Sequence, residues 1–278
     1  MRLTSDQMHY HLYQAKLETE APPLVLLHGL DSAAATFDNV ISDLSADRDV
    51  LVYDQRGHGQ SEAIGFDYSN QAMADDLKGL LEHLQIDKAD LLGHSLGARV
   101  AVKFAAVYPE TVGKLIIEDM ETRMRCQLDN SAHRQMLVEA ERRQAMFASP
   151  FYENYDQIVN ALSRLYPGEA IESLIDRRAR QLSDGRYQLL FRPHVQILFA
   201  QQSNSEDLNE SLAELEIPVL VLLAADPNVS AATPQGVEEM RAEHVIIDVV
   251  PASGHTIHRS NESAFLKLVK RFLAESSE

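Results

Sequence analysis

The chain has 278 residues, 45% of them hydrophobic, which suits one large domain with a full core and excludes a disordered chain. Its formal net charge of −17 argues against nucleic acid and anionic membrane surfaces as partners. A single cysteine, Cys126, excludes an internal disulfide, and no Cys/His cluster has the spacing of a metal site.

The first residues lack the apolar stretch of a signal peptide, and the longest apolar run, near 219–225, is too short to span a bilayer. Together with the lone cysteine, this leads us to expect a cytoplasmic protein; the sequence leaves monomer or dimer open. The charge is uneven. Residues 120–194 hold eleven arginines, no lysine and ten carboxylates, so this stretch is near neutral inside an acidic chain. Such arginines either lie on solvated helix faces or meet an anionic substrate.

Short apolar runs alternate with helical patterns along the chain. A strand is expected at 9–16 and another at 24–27, followed by His28-Gly29-Leu30-Asp31. A glycine at a strand exit permits a turn whose next amide, that of Leu30, could face a developing oxyanion. After a helix over 37–44 and a strand at 50–53 comes Asp54-Gln55-Arg56-Gly57-His58-Gly59-Gln60-Ser61. It reads as a tight structural loop held by Asp54 and Arg56. No G-x-G-x-x-G opens a helix, so it is not a dinucleotide fingerprint.

A helix over 70–84 leads to a strand at 89–92, then to Gly93-His94-Ser95-Leu96-Gly97 and a helix over 98–108. A serine hydroxyl is a poor nucleophile near neutral pH and must be lifted clear of the sheet toward a base. A sharp strand–turn–helix bend does this, and glycines on either side let neighbouring chain pass close. The same bend points the Leu96 amide toward an oxyanion from the start of a helix.

The next strand is expected at 114–118, with Asp119 at its end. Between 120 and 212 the alternation breaks: helical patterns over 132–146 and 170–182 are punctuated by Pro150, Pro167-Gly168, Asp184-Gly185 and Pro193, with no convincing buried strand. This stretch reads as a helical cap inserted into a body made of 1–119 and 213–278. The rhythm resumes with a strand at 218–223, a helix at 236–242, a strand at 245–250 and a helix at 262–274. A mainly parallel sheet flanked by helices follows.

Two late motifs supply partners for Ser95. Gly254-His255-Thr256-Ile257-His258 follows the last strand, and histidine is the natural base for a serine. His255 is preferred over His258, which is expected to support the loop or line the pocket. Asp226, after the strand at 218–223, is the preferred acid, because Ser…Asp…His is then the required chain order. Asp119 is the alternative acid, one strand nearer the serine.

At this point the chain resembles an α/β-hydrolase, on His28-Gly29-Leu30-Asp31, the Asp54-to-Ser61 loop, Gly93 to Gly97, Asp226-Pro227 and Gly254-His255. The stretch from Met73 to Ala89 is similar to small bacterial carboxylesterases of that family. In some relatives the acid follows the strand that precedes the cap, which keeps Asp119 in play. The resemblance implies a serine esterase with Ser95, His255 and Asp226 as triad, the Leu30 and Leu96 amides as oxyanion hole, and no cofactor or metal; its expected partner is a small-molecule ester. The serine excludes relatives that carry an aspartate nucleophile. An acyl thioesterase and a slow-turnover ligand receptor are the competing readings, and a carbon–carbon bond hydrolase ranks lower because the chain has no tryptophan.

Overall fold

Every second residue of a buried strand enters the same core, and this alternation builds the layers. In β2 (Leu24–Leu27), Leu24 and Leu26 join one core with Val50 and Val52 of β3 (Val50–Tyr53). Val25 and Leu27 join the other core with Leu51 and Tyr53. Side chains on a strand alternate faces, so a strand covered on both sides must be apolar throughout, as these are. The computed structural model describes residues 2–166, 171, 175 and 178–275.

The remaining strands of the main sheet are β1 (Tyr10–Tyr13), β4 (Ala89–His94), β5 (Val112–Glu118), β9 (Val219–Ala224) and β10 (Val245–Val250). The sheet runs β1-β3-β2-β4-β5-β9-β10, with β1 antiparallel to β3 and every other pairing parallel. One face is covered by α1 (Asp38–Leu44) and α10 (Glu262–Ala274), through Val40, Ile41, Phe265 and Val269. The other is covered by α2 (Asn70–His83) and α3 (Leu96–Val107), through Met73, Leu77, Val100 and Phe104. Helix starts are set by side chains that satisfy orphan amides: Ser69 accepts from the Ala72 amide, and Asn261 from the Ala264 amide. No helix among the described residues is long and apolar enough to cross a membrane.

Between β5 and β9 the strand–helix alternation stops. This insertion carries α4 (Asn130–Met146), β6 (Phe151–Tyr152), α5 (Tyr155–Leu165), β7 (Ala179–Gln181), β8 (Tyr187–Leu189), α6 (Pro193–Asn204) and α7 (Asn209–Ala213). It has its own small core of Ile158, Leu162, Ala179, Leu189 and Phe191. Its β6, β8 and β7 form a three-stranded antiparallel sheet, which corrects the all-helical reading of this stretch. The expected helix over 170–182 ends as strand from Ala179, and 170, 172–174, 176 and 177 lie outside the described residues. Strands of two or three residues carry no readable alternation. The hairpin signal was present in Asp184-Gly185: Gly185 has φ 89°, and the Leu182 amide donates to the Arg186 carbonyl at 2.7 Å.

Arg99 of α3 fixes the insertion to the body. Its buried guanidinium donates to the carbonyls of Glu121, Arg123 and Ser203 at 2.9–3.1 Å, gripping both stems of the insertion from the helix that follows Ser95.

Candidate active site

The turn from β4 into α3 places Ser95 at φ 53° and ψ −128°, a conformation costly for a residue with a side chain. Two glycines permit it. A Cβ on Gly93 would lie 2.4 Å from the Ala98 Cα, and one on Gly97 would lie 2.4 Å from the His28 carbonyl oxygen. Both obstacles are backbone, so neither can swing away. The β2 exit therefore presses directly on the elbow.

Three side chains from three strand ends line up here. The Ser95 Oγ lies 3.0 Å from His255 Nε2, and His255 Nδ1 lies 2.7 Å from Asp119 Oδ2. The carboxylate fixes the tautomer: Nδ1 donates to Asp119, which leaves the Nε2 lone pair to accept the serine proton. Asp119 is fully buried at the tip of β5, with φ 49°. Its Oδ1 accepts from the Ala224 amide at 2.8 Å and the Ser230 hydroxyl at 2.7 Å, and its Oδ2 also accepts from the Ala231 amide at 3.0 Å. Burial pushes its pKa up, but the hydrogen bonds from His255, the two amides and Ser230 outweigh this and hold the carboxyl below its ordinary value.

The structure thus corrects the preferred acid. Asp226 is exposed in the loop after β9, and its carboxylate accepts from the amide and side chain of Asn228, both at 2.9 Å. The physical reason is the path of the loop after β10. It bends inward across β9, so His255 meets the end of β5 and passes by the end of its nearer neighbour. Spacing along the chain fits either aspartate and carries no information about that bend.

His258 is a support, as its place in the loop suggested. It is fully buried, its amide donates to Glu118 at 2.9 Å, and its Nδ1 donates to the same carboxylate at 2.8 Å. Thr36 Oγ1 stands 3.1 Å from its Nε2. His94 completes the scaffold: its Nε2 donates to the His255 carbonyl at 3.1 Å, with the two rings 4.8 Å apart. Burial is the main reason its pKa falls to about 3, so it stays neutral and acts as a strut.

Glu118 was missed by the sequence reading, since a carboxylate ending a strand looks like an ordinary exposed residue. Burial pushes its pKa up, but His258 and His94 reverse the sign and leave it lowered. A lowered carboxylate pKa contributes stability that is complete above the unfolded value, near 4.5, and is lost as pH falls through the folded value. Glu118→Gln is therefore expected to cost about 3 kcal/mol at neutral pH, because it strips a buried His258 of its partner. Urea unfolding at several pH values checks this, and the gap between wild type and variant should narrow in acid.

The two expected oxyanion amides are free to act. Leu96 is the first residue of α3, where a helical amide has no partner within the helix, and neither it nor the Leu30 amide has a protein acceptor among the described residues. A Cβ on Gly29 would lie 3.0 Å from the Ser95 Cβ, so the Leu30 turn borders the serine. The loop after β3 is structural, as expected. The Asp54 carboxylate accepts from the Ala34 and Gln60 amides, and Arg56 pairs with Asp76 at 2.5 Å.

The insertion reaches this region through Asp31, which follows Leu30. Gln196 donates to its carboxylate at 2.8 Å and Tyr166 at 3.3 Å, and Arg178 forms an ion pair with it. Among the described residues no group of three or more His, Cys, Asp or Glu side chains is placed to hold a metal ion.

Known proteins share this arrangement of the chain. A family model described as alpha/beta hydrolase fold matches residues 22–258. The 2-(acetamidomethylene)succinate hydrolase of Mesorhizobium japonicum is 27% identical over 255 residues, covering 91% of this chain and 88% of that protein. A putative carbamate hydrolase of Stutzerimonas stutzeri is 39% identical over 110 residues, or 39% of this chain and 41% of that one. Among solved structures, an enol-lactonase from Burkholderia xenovorans superposes with a TM-score of 0.71 at 21% identity over 96% of each chain. A marine microorganism esterase superposes with a TM-score of 0.72 at 20% identity, over 95% of this chain and 98% of that one. At such identities the two structures speak for the fold alone.

Proposed function

The chain belongs to the α/β-hydrolase fold family, and on that footing we propose that it is a serine hydrolase of small or medium carboxylic esters. The observation that carries the reading is the unbroken hydrogen-bonded line Ser95–His255–Asp119. Ser95 attacks the ester carbonyl while His255 Nε2 takes its proton. The Leu30 and Leu96 amides receive the charge on the tetrahedral oxygen, where one such donor is worth about 3 kcal/mol. His255 then protonates the leaving alcohol, and the acyl group stays on Ser95. Water enters, His255 removes its proton, and the acid departs. Asp119 holds the ring and stabilises the imidazolium without itself taking the proton.

In this reading the insertion serves as a cap over Ser95 and selects the acyl or alcohol part. The enzyme consumes only ester and water, so the reading calls for no cofactor. It works in the cytoplasm, for which the lone cysteine speaks.

The test is covalent. A fluorophosphonate should add once, on the peptide holding Ser95, and 4-nitrophenyl esters from acetate to palmitate should be hydrolysed with an optimum that sizes the pocket. Folded protein that neither takes the label nor turns over any ester would sink the proposal.

A further inference from the structure

Arg192 stands just before α6. Among the described residues its guanidinium has neither a carboxylate nor a hydrogen-bond acceptor. Other arginines of the insertion are satisfied: Arg142 and Arg143 by Glu139, Arg178 by Asp31, and Arg186 by Asp184. The side chains within electrostatic reach of Arg192 are Tyr152 of β6, Tyr68, His58 and His194.

These neighbours have polar atoms to spare. The hydroxyls of Tyr152 and Tyr68, His58 Nε2 and His194 Nδ1 are all buried without a hydrogen-bond partner. The Ile64 amide lies near the Tyr68 hydroxyl and can only donate to it, which leaves the hydroxyl proton without an acceptor. Tyr68 and His58 are almost wholly buried. Buried polar groups are normally satisfied, and Arg192, itself half-buried, is the cation they surround. Several orphans around one unpaired guanidinium mark a place built for a group the protein itself does not supply.

The place is linked to the serine through a short chain of neighbours. The Arg192 amide donates to the Gly57 carbonyl in the loop after β3. The His58 ring lies 5.2 Å from that of His28, and His28 precedes the glycine that touches Ser95. β3 is two strands from β4, a lateral separation of about 10 Å. An arginine side chain and a short aliphatic chain together bridge that span.

We propose that Arg192, with the hydroxyls of Tyr152 and Tyr68, binds a carboxylate carried by the substrate at the end remote from the scissile ester. This deepens the serine-hydrolase reading and rests on it. The ligand is a half-ester of a short dicarboxylic acid. One guanidinium and two phenols match a planar monoanion, which the guanidinium can hold with two parallel hydrogen bonds, whereas a phosphate dianion would leave a charge unmet.

The test uses a matched pair, mono(4-nitrophenyl) glutarate and its methyl ester, which differ only in the distal charge. Wild type should prefer the anion by about tenfold or more in kcat/KM, mainly through KM. In Arg192→Gln the ratio between the two should fall to about one, and Arg192→Lys should keep part of it. Damage to the fold lowers both rates and leaves the ratio standing, so the ratio isolates the charge contact. A wild-type ratio near one, or a ratio that survives Arg192→Gln, overturns the proposal.

A second measurement separates this failure from failure of the ester reading. Glutarate itself should raise the melting temperature of the Ser95→Ala protein and lose that effect when Arg192→Gln is added. No rise overturns the anion site. A rise without turnover of either ester retains the site and rejects the ester chemistry.

Discussion

Ser95→Ala is expected to lower kcat on 4-nitrophenyl butyrate by about 10⁶-fold, with the fold intact. Among the described residues the only hydrogen bond from the Ser95 hydroxyl runs to His255, so its removal leaves no other side chain there unsatisfied. The elbow conformation is held by backbone close to Gly93 and Gly97, and alanine at 95 meets the same constraints as serine. What disappears is the atom that, in the proposed reaction, forms the acyl-enzyme. The amides of Leu30 and Leu96 and the bound geometry would still speed attack by water, so a residual rate above solution is expected. Steady-state turnover, read with the loss of fluorophosphonate labelling, decides the matter. A variant that kept a large share of wild-type turnover would remove Ser95 as the nucleophile.

How far the sequence carried depended on the length over which a physical constraint acts. The strands β2, β3, β4 and β9 were legible because burial on both faces demands continuous apolar residues. The elbow was legible because its constraint is local: three positions within five residues must hold a serine and two glycines. Asp119 against Asp226 was a question of another kind. Both follow a parallel strand, and the deciding fact is that the loop after β10 turns in over β9, a long-range feature with no local mark. Glu118 was hidden for a related reason. Its partner lies 140 residues away, and a lone carboxylate shows nothing of that partner. The small sheet of the insertion escaped because two- and three-residue strands are held by the hairpin and by the core of Ile158, Leu162 and Phe191 more than by their own pattern.

The second large effect distinguishes the two aspartates. Asp119→Asn is expected to lower kcat by about 10⁴-fold, and Asp226→Asn to change it less than about twofold. The asparagine at 119 has the same shape, and its oxygen can still accept from the Ala224 amide and Ser230, while the bond from the Ala231 amide is lost. Its NH2 group would then face His255 Nδ1, which can only meet it as an acceptor. That forces the ring proton onto Nε2, where it points at Ser95 and blocks the transfer the reaction needs. The defect is thus one of tautomer, and it should fall on kcat with little change in KM. At position 226 the carboxylate meets only Asn228 in an exposed loop, so no such switch exists. Because its hydrogen bonds keep the Asp119 carboxyl below its ordinary value of 3.8, the carboxylate stays ionised throughout the neutral range. Equal, small losses in the two variants would mean that the hydrogen bond from His255 to Asp119 does not serve the chemistry. A large loss at 226 alone would mean that the loop after β9 rearranges to reach His255 when substrate binds.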